Sequence, residues 1–163
     1  MKNYDYSSNG AYFITICTKD RGQILSTISK PVGVGALDDP QIRLTSLGKT
    51  VEEKLLSSEK IPRVHIDKYI LMPDHIHVII FIDPPESSDQ GNGSSRAPTP
   101  TNEMIPHVIS TFKRFCNKAI GRNIFQRGYF DRIIRNREDY EEHLRYIHNN
   151  PTNWLNDKLY PKE

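Results

Sequence analysis

Two histidines lie one residue apart in the stretch LMPDHIHVII, which covers residues 71 to 80. On a β-strand, side chains two residues apart point to the same face, so His75 and His77 would present their rings side by side. Paired imidazoles at this spacing suit a divalent metal ion, although hydrogen-bonded histidines in a protein core give the same pattern. A metal site therefore needs a third ligand and a reactive group from elsewhere in the chain.

The last predicted helix, NREDYEEHLRYIHNNP, could supply such groups. At about 100° per residue, an apolar stripe on this helix should pack on a sheet. The stripe comprises Tyr140, Leu144 and Ile147. His143, Tyr146 and Asn150 are spaced by three and four residues and so share a neighbouring polar face. A lone tyrosine here would more often be a core residue, but this one shares its face with an amide and an imidazole.

Basic residues are concentrated between residues 111 and 137, where eight lysines and arginines stand against one acid, Asp131, for a net charge of +7. Such a segment is a candidate phosphate-binding surface. A solvated helix face with ordinary surface charge explains the charge equally well on its own. The candidate binding residues in this segment are Lys113, Arg114, Lys118, Arg132 and Arg135.

The first half of the chain contains one strand and one helix by pattern. Residues 11 to 18, AYFITICT, are aromatic and β-branched and predict a first strand. Residues 26 to 43 contain prolines, glycines and paired aspartates without a sustained period, which indicates an irregular connection. A helix is predicted to begin near Thr45, with Thr45 or Ser46 as its cap, and to end before Pro62.

The middle of the chain predicts a hairpin followed by a flexible loop. Residues 64–72 and 75–82 are strand-like runs separated by a short Pro-Asp break, which favours an antiparallel pair. Residues 83–106 are rich in proline, glycine and serine and predict a flexible loop that is too polar for the core. Residues 107–120 then resume a helical period. Its predicted buried positions are Val108, Phe112, Phe115 and Ala119.

The end of the chain completes the predicted fold. Residues 128–134 are a short strand candidate, and acidic residues in the first turns of the last helix suit its dipole, with Pro151 predicted to end it. The order strand, helix, strand, strand, helix, strand predicts an α+β fold. The expected fold is a ferredoxin-like (βαββαβ, RRM-like) antiparallel sheet with an added C-terminal helix. A length of 163 residues predicts that 1–163 form a single domain.

Composition excludes several classes of protein. The chain is 36% hydrophobic and 26% charged, with a mean hydropathy of -0.61, and it has no apolar run of membrane-spanning length and no signal-like N-terminus. We therefore expect a cytoplasmic protein that does not bind membranes. Cys17 and Cys116 lie far apart without a CxxC spacing, so we expect buried thiols and neither a disulfide nor a cysteine zinc site.

In this order, the motifs resemble the REP-associated tyrosine transposases, relatives of the HUH single-strand transposases of insertion sequences. The resemblance extends over nearly the whole chain, through YDYSSNGAYFITICTKDR, YILMPDHIHVII, ISTFKRFCNK and IFQRGYFDRIIRNREDYEEHLRYIHNNPTNW. The segment MPDHIH is similar to the family's MPNHxH, with Asp74 where asparagine or glutamate is common. The ordered combination is far more specific than the two histidines alone.

The resemblance implies a metal-dependent DNA transposase and endonuclease that cleaves and rejoins single-stranded DNA near hairpins through a 5′-phosphotyrosine. It implies that the metal ligands are His75, His77 and Asn150 and that the C-terminal helix carries the catalytic tyrosine, Tyr146. The implied cofactor is Mg²⁺ or Mn²⁺. The implied partner is single-stranded or hairpin DNA, held by the basic residues named above, with Tyr129, Phe130 or Trp154 available for base stacking. Relatives build the active site either within one chain or across a dimer, so both arrangements, and a homodimer, stay open.

Two other functions are compatible with parts of the pattern. One is a domesticated regulatory protein of the same fold that binds DNA without cleaving it, against which the intact set of four site residues argues. The other is a metal-dependent nucleotide hydrolase or transferase, which would be expected to carry a third nearby histidine or a glycine-rich phosphate loop, and HIHVIIF offers neither. His143, one turn before Tyr146, is either a proton acceptor for the phenol or a solvent-facing helix residue.

Overall fold

The structure is a computed structural model that describes residues 10–30, 39–85 and 101–159. These three ranges contain six strands and three α-helices, with short 3₁₀ turns at Lys19–Arg21 and Ser57–Lys60. The strands are β1 (Gly10–Cys17), β2 (Ser26–Ser29), β3 (Gln41–Leu44), β4 (Val64–Leu71), β5 (His75–Ile82) and β6 (Phe130–Ile134). The helices are α1 (Ser46–Leu56), α2 (Thr101–Ile120) and α3 (Arg137–Leu159).

The main sheet has the strand order β4-β5-β1-β6, and every neighbouring pair in it is antiparallel. Strand β5 is buried at all eight positions because it lies between two other strands and between two helical layers. This sheet and the final helix confirm the predicted α+β, ferredoxin-like fold.

The two faces of the sheet are covered by different helices. Alternate residues of β1 and β5, among them Ile14 and Val78, form one core cluster with apolar side chains of α1 and α2. The intervening residues, among them Ile79 and Phe81, form a second cluster with Ile147 of α3. Because His75 and His77 have the same parity as Ile79, they lie on the face that α3 covers.

Several local predictions are confirmed. The side chain of Thr45 caps α1 by accepting a 2.9 Å hydrogen bond from the backbone N–H of Gly48. Strands β1, β4, β5 and β6 lie within or next to the predicted ranges. Cys17 and Cys116 are buried free thiols. Within the described ranges, none of the helices combines the length and the apolarity needed to span a bilayer.

The prediction of an irregular connection over residues 26–43 is wrong at both of its ends. Strands β2 and β3 pair with each other in an antiparallel register from Ser26 with Leu44 to Ser29 with Gln41. Both strands are only four residues long, and the residues 31–38 lie outside the described residues. Such short strands carry too few positions for a period of two to stand out in the sequence.

The predicted loop over residues 83–106 is also too long. Helix α2 already begins at Thr101, and Met104 and Ile105 are buried in the core, whereas the predicted core positions Phe115 and Ala119 are exposed. Pro106 lies inside the helix and obscured the pattern, since a proline usually marks a helix boundary. The rest of this prediction, residues 86–100, lies outside the described residues.

The prediction that Pro151 ends the last helix is wrong. Helix α3 continues through Pro151 to Leu159. A proline inside a helix removes one backbone hydrogen bond, here to the carbonyl of Ile147, but does not prevent further turns when packing holds them. Pro151 is buried, and Trp154 in the following turn contacts His75. The continued helix extends the cover over the histidine pair.

Candidate functional site

His75 and His77 lie at the beginning of β5, directly after the turn that joins it to β4. Their ring centroids are 4.5 Å apart, and both side chains are buried. On the neighbouring strand β1, Cys17 is paired with His75 and Thr15 with His77. The histidines therefore form a fixed pair on the face of the sheet below α3.

His77 is held by a threonine. Its Nδ1 lies 2.8 Å from Oγ1 of Thr15, while Nε2 is buried and has no hydrogen-bond partner among the described residues. The pKa of His77 is lowered to about 3, mainly by burial and to a smaller extent by His75 and Arg21, while the Asp74 carboxylate opposes this shift only weakly. The ring is therefore neutral near pH 7, as a metal-binding imidazole must be.

His75 is held by a carboxylate. Its Nδ1 lies 2.6 Å from Oδ1 of Asp74, and the other carboxylate oxygen of Asp74 lies 3.0 Å from Nε of Arg21. Arg21 also donates to Sγ of Cys17 over 2.8 Å. The two histidines thus have their δ nitrogens bound to different partners, a carboxylate and a hydroxyl.

Helix α3 lies over the pair. The ring of Tyr146 is 5.2 Å from that of His77, and the ring of Trp154 is 6.2 Å from that of His75. Asn150 is four residues from each of these two aromatic residues and is buried, so it lies on the same face of α3 as they do. The structure thus brings His75, His77 and Tyr146 together within one chain, with Asn150 on the face of α3 that carries Tyr146.

A groove of about 540 Å³ opens beside Tyr146, which is 48% exposed and is therefore accessible to a large substrate. The groove runs between α3 and strands β1 and β6. It is lined by Phe13, Thr15, His77, Phe130, Asp131, Arg132, Glu142, His143, Arg145, Tyr146, Asn149 and Asn153. Its lining combines aromatic, amide, acidic and basic groups, which suits a ligand with both a charged backbone and flat rings.

His143 is not a solvent-facing residue. It is buried, its ring lies 4.6 Å from that of Phe13, and its Nδ1 donates to the backbone carbonyl of Asp139 over 2.7 Å. A carbonyl oxygen can only accept, so in the neutral ring the proton is on Nδ1 and the lone pair is on Nε2. The ring lines the same groove as Tyr146.

The structure divides the predicted basic surface between two sides of the sheet. Arg132 lines the groove, and Arg135 lines a smaller cavity beside it that Arg132 also lines. Arg114 and Lys118 are exposed on α2, in the layer that covers the opposite face. Lys113 donates to the backbone carbonyls of Gln126, Arg127 and Gly128, so its ammonium holds a loop.

The donor set fits a divalent cation. A buried Nε2 without a partner on His77, an Nε2 lone pair on His75 and a buried amide at Asn150 offer three ligands of the kinds that such ions accept. Within the described part of the chain, no three histidine, cysteine or acidic side chains cluster so as to hold a metal ion. Any site with three protein ligands here therefore depends on the amide.

Sequence reasoning missed several residues of the site. Thr15 and Arg21 belong to β1 and its following turn, and only the strand register brings them to the histidines. Arg145 lines the groove beside Tyr146, and its position before that residue could have indicated this. Asp74 was noted as a variation in a motif, while its contact with His75 needed coordinates.

Comparison with known proteins gives the following relatives. No protein-family model matches the sequence. An uncharacterized protein of Haemophilus influenzae is 30% identical over 176 residues, which cover 98% of this chain and 90% of that protein. A second H. influenzae protein, named "Putative REP-associated tyrosine transposase", is 27% identical over 93% of this chain and 76% of its own length.

Two solved structures share the fold. A REP-associated tyrosine transposase bound to a REP hairpin superposes with a TM-score of 0.60, at 22% identity, over 94% of this chain and 74% of that one. The chain is thus similar in sequence to a protein named as a REP-associated tyrosine transposase and shares the fold of a solved one. A Deinococcus radiodurans protein, described as "a putative transposase", has a TM-score of 0.52 at 14% identity, over 91% of this chain and 96% of that one.

Proposed function

We propose that this protein is a metal-dependent transposase and endonuclease that cleaves and rejoins single-stranded DNA near hairpins through a 5′-phosphotyrosine. The observation that carries the proposal is the position of Tyr146, which is half exposed at the groove while its ring lies 5.2 Å from that of His77. These contacts are made within one chain, which supports an active site that a monomer can complete.

The reaction follows from the chemistry of a phenol. Oη of Tyr146 attacks a backbone phosphorus, an O–P bond forms to the tyrosine, and the bond to the 3′ oxygen breaks. The phenol proton passes to a base, and the departing 3′ oxygen takes up a proton to become a hydroxyl. Because the phosphodiester is kept as a phosphotyrosine, attack by another 3′-hydroxyl rejoins strands without ATP.

A phenol has a pKa near 10, so the attack needs a proton acceptor. His143 is the candidate, because it lies one turn before Tyr146, lines the same groove, and carries its neutral lone pair on Nε2. Both rings also pack against Phe13, which fixes them relative to each other.

We propose that His75, His77 and Asn150 hold a divalent cation, Mg²⁺ or Mn²⁺, whose role is to offset negative charge that develops at the phosphate. Two observations support this assignment: Nε2 of His77 has no hydrogen-bond partner in the described part of the chain, and Asn150 is buried. The residues themselves orient the phosphate and, with Trp154 beside His75, restrict the access of water to it.

The proposed substrate is a single strand next to a hairpin, as the hairpin-bound relative suggests. Phe130 is 70% exposed at the groove and can stack on an unpaired base, which Tyr129, packed against the core, can do less readily. Arg132 and Arg135 lie where they can contact phosphates of the cut strand. Arg114 and Lys118 have a more distant role in binding, and we place the protein in the cytoplasm.

The test is the formation of covalent adducts with hairpin-flanked single-stranded oligonucleotides in the presence of Mn²⁺. We expect the wild type to form adducts that resist denaturing electrophoresis and Tyr146→Phe to form none, while its DNA affinity stays within about twofold. Tyr140→Phe is the matched control, because Tyr140 lies on the same helix but donates to Asp67 in the core region. It should keep forming adducts.

Two outcomes would contradict the proposal. Continued cleavage by Tyr146→Phe would exclude this residue as the nucleophile. Tight binding of DNA by the wild type without any adduct, across a library of hairpin sequences, would favour the non-cleaving regulatory protein.

A further inference from the structure

We propose that Asp74 and Arg21 are a positioning pair that fixes the tautomer of His75 in which Nε2 can bind a metal ion. This inference rests on the proposed metal-binding role of His75. Asp74 is buried, and its two carboxylate oxygens contact different partners, Nδ1 of His75 at 2.6 Å and Nε of Arg21 at 3.0 Å. One carboxylate therefore connects a candidate metal ligand to a fixed positive charge.

The carboxylate leaves His75 no choice of tautomer. A carboxylate can only accept, so the proton must be on Nδ1 of His75, and the lone pair of the neutral ring is on Nε2. The partner of His77 is different, since the hydroxyl of Thr15 can either donate to Nδ1 or accept from it. Only Asp74 imposes the metal-binding form on its histidine. An asparagine amide at the same position could present either its oxygen or its NH₂ group.

Arg21 is itself held in place for this contact. Its guanidinium donates to Cys17 as well as binding Asp74, and its backbone has a φ of 54° directly after Asp20 with a φ of 55°. Two successive non-glycine residues in the left-handed region are uncommon and need support from their surroundings. Support comes from Thr18, whose carbonyl accepts from the backbone N–H of Arg21 and whose own backbone N–H and hydroxyl both donate to the carbonyl of Asp74.

Removal of the contact between Asp74 and His75 should weaken the binding of a metal ion. Groups that orient a histidine ligand through its second nitrogen typically change metal affinity by about 10- to 100-fold when they are removed. We expect Asp74→Ala to weaken Mn²⁺ binding by about that factor. Asp74→Asn should lose less Mn²⁺ affinity, because its amide oxygen can still accept from Nδ1. The Mn²⁺ affinity of Arg21→Gln should lie between those of Asp74→Asn and the wild type.

The test is a Mn²⁺ titration of each variant, without DNA, in which electron paramagnetic resonance measures the free ion. Asp83→Ala is the matched control, because Asp83 makes the same kind of contact, 2.6 Å to Nε2 of His65, on an exposed part of the protein. Its Mn²⁺ affinity should stay within about twofold of the wild type. Unfolding by urea in EDTA separates a change in the fold from a change in the metal site.

Failure of the positioning role and failure of the proposed metal site would give different results. Mn²⁺ binding by the wild type with unchanged affinity in Asp74→Ala would overturn it and leave the proposed function intact. Lack of Mn²⁺ binding by the wild type would contradict the proposed metal site itself. If Asp74→Ala does not fold, long-range ¹H–¹⁵N spectra of the wild type decide, because the inference requires the proton on Nδ1 of His75, and a proton on Nε2 would overturn it.

Discussion

His77 is neutral because of where the sheet places it. Its ring is buried beside His75 and within reach of the charge of Arg21, and these surroundings oppose a second positive charge. In the unfolded chain the same ring has an ordinary pKa near 6.5. Because the pKa of His77 is lower in the folded protein than in the unfolded chain, the stability of the fold depends on pH. Between the two pKa values, the unfolded chain binds a proton at this ring and the folded protein does not.

We expect the metal-free protein to lose stability as the pH falls from 6.5 towards 3. Between these values the unfolded chain binds a proton that the folded His77 does not, so this residue alone should remove about 2 kcal/mol from the free energy of unfolding between pH 7.5 and pH 5. Urea unfolding in EDTA at the two pH values measures it. On acidification, the free energy of unfolding of His77→Gln should fall less than that of the wild type. His65→Gln changes an exposed histidine and serves as the control, and its free energy of unfolding should fall about as much as that of the wild type. An equal loss in His77→Gln and the wild type would contradict this account.

At this scale the sequence predicted the pairing of the histidines but not their partners. Side chains two residues apart lie on the same face of any strand, so this pairing needs only the local sequence. Thr15 lies 62 positions from His77, and their contact depends on the register between β1 and β5. Only that register makes the threonine part of the site.

The elements position the site through a small number of backbone contacts. The first turn of α1 packs against Leu25, whose backbone N–H donates to the carbonyl of Pro73 in the turn before His75. Gly48 permits this approach, since a Cβ there would lie 1.9 Å from the carbonyl oxygen of Leu25. Helix α1 thus supports the histidine pair although it lies on the other side of the sheet.

Gly48→Ala should therefore destabilise the protein despite its helical position. Alanine gains about 1 kcal/mol in a helix, while overpacking costs roughly 1–3 kcal/mol, and contact with backbone favours the upper end. We expect the free energy of unfolding to fall by about 2 kcal/mol. Gly128→Ala is the control, because a Cβ there meets nothing within 4 Å. Equal free energies of unfolding in urea for the two variants would show that the packing of α1 does not depend on the close approach of Gly48 to Leu25.

Prediction of the elements worked where the residues carry a long, regular period. The core strands and α1 show such a pattern, and the fold class followed from their order. The prolines at positions 106 and 151 misled because their local preference for helix ends was overridden by packing, through Met104 and Ile105 in one helix and Trp154 in the other. The preference of proline for helix ends affects only a few residues, whereas packing against the core stabilises the whole helix.

At the scale of the whole molecule, the sheet separates two surfaces. The face with α3 carries Tyr146, the histidines and the groove, whereas the face with α1 and α2 carries Arg114 and Lys118. Charge along the sequence could not distinguish these sides, because α2 and β6 are adjacent in the chain and only the topology separates them. In the proposed reaction, the cut strand lies on the face with α3.

Charge reversal on the two faces should therefore have unequal effects on single-stranded DNA binding. We expect Arg132→Glu to weaken affinity by about tenfold or more and to reduce the slope of log affinity against log salt by about one, because a phosphate contact is lost. Arg114→Glu makes the same change in charge on the opposite face and should weaken affinity by less than about threefold. Fluorescence anisotropy between 50 and 200 mM salt would measure both. Equal losses would contradict a strand that follows the groove.

Peptide mapping can establish whether Tyr146 becomes covalently linked to DNA. After reaction with a hairpin-flanked oligonucleotide and Mn²⁺, followed by nuclease and trypsin, cleavage after Arg145 releases the peptide of residues 146–158, in which Tyr146 is the single tyrosine. Mass spectrometry should find a nucleotide joined through its 5′ phosphate to this peptide. An adduct on another peptide, or cleaved DNA with no protein adduct, would contradict the account.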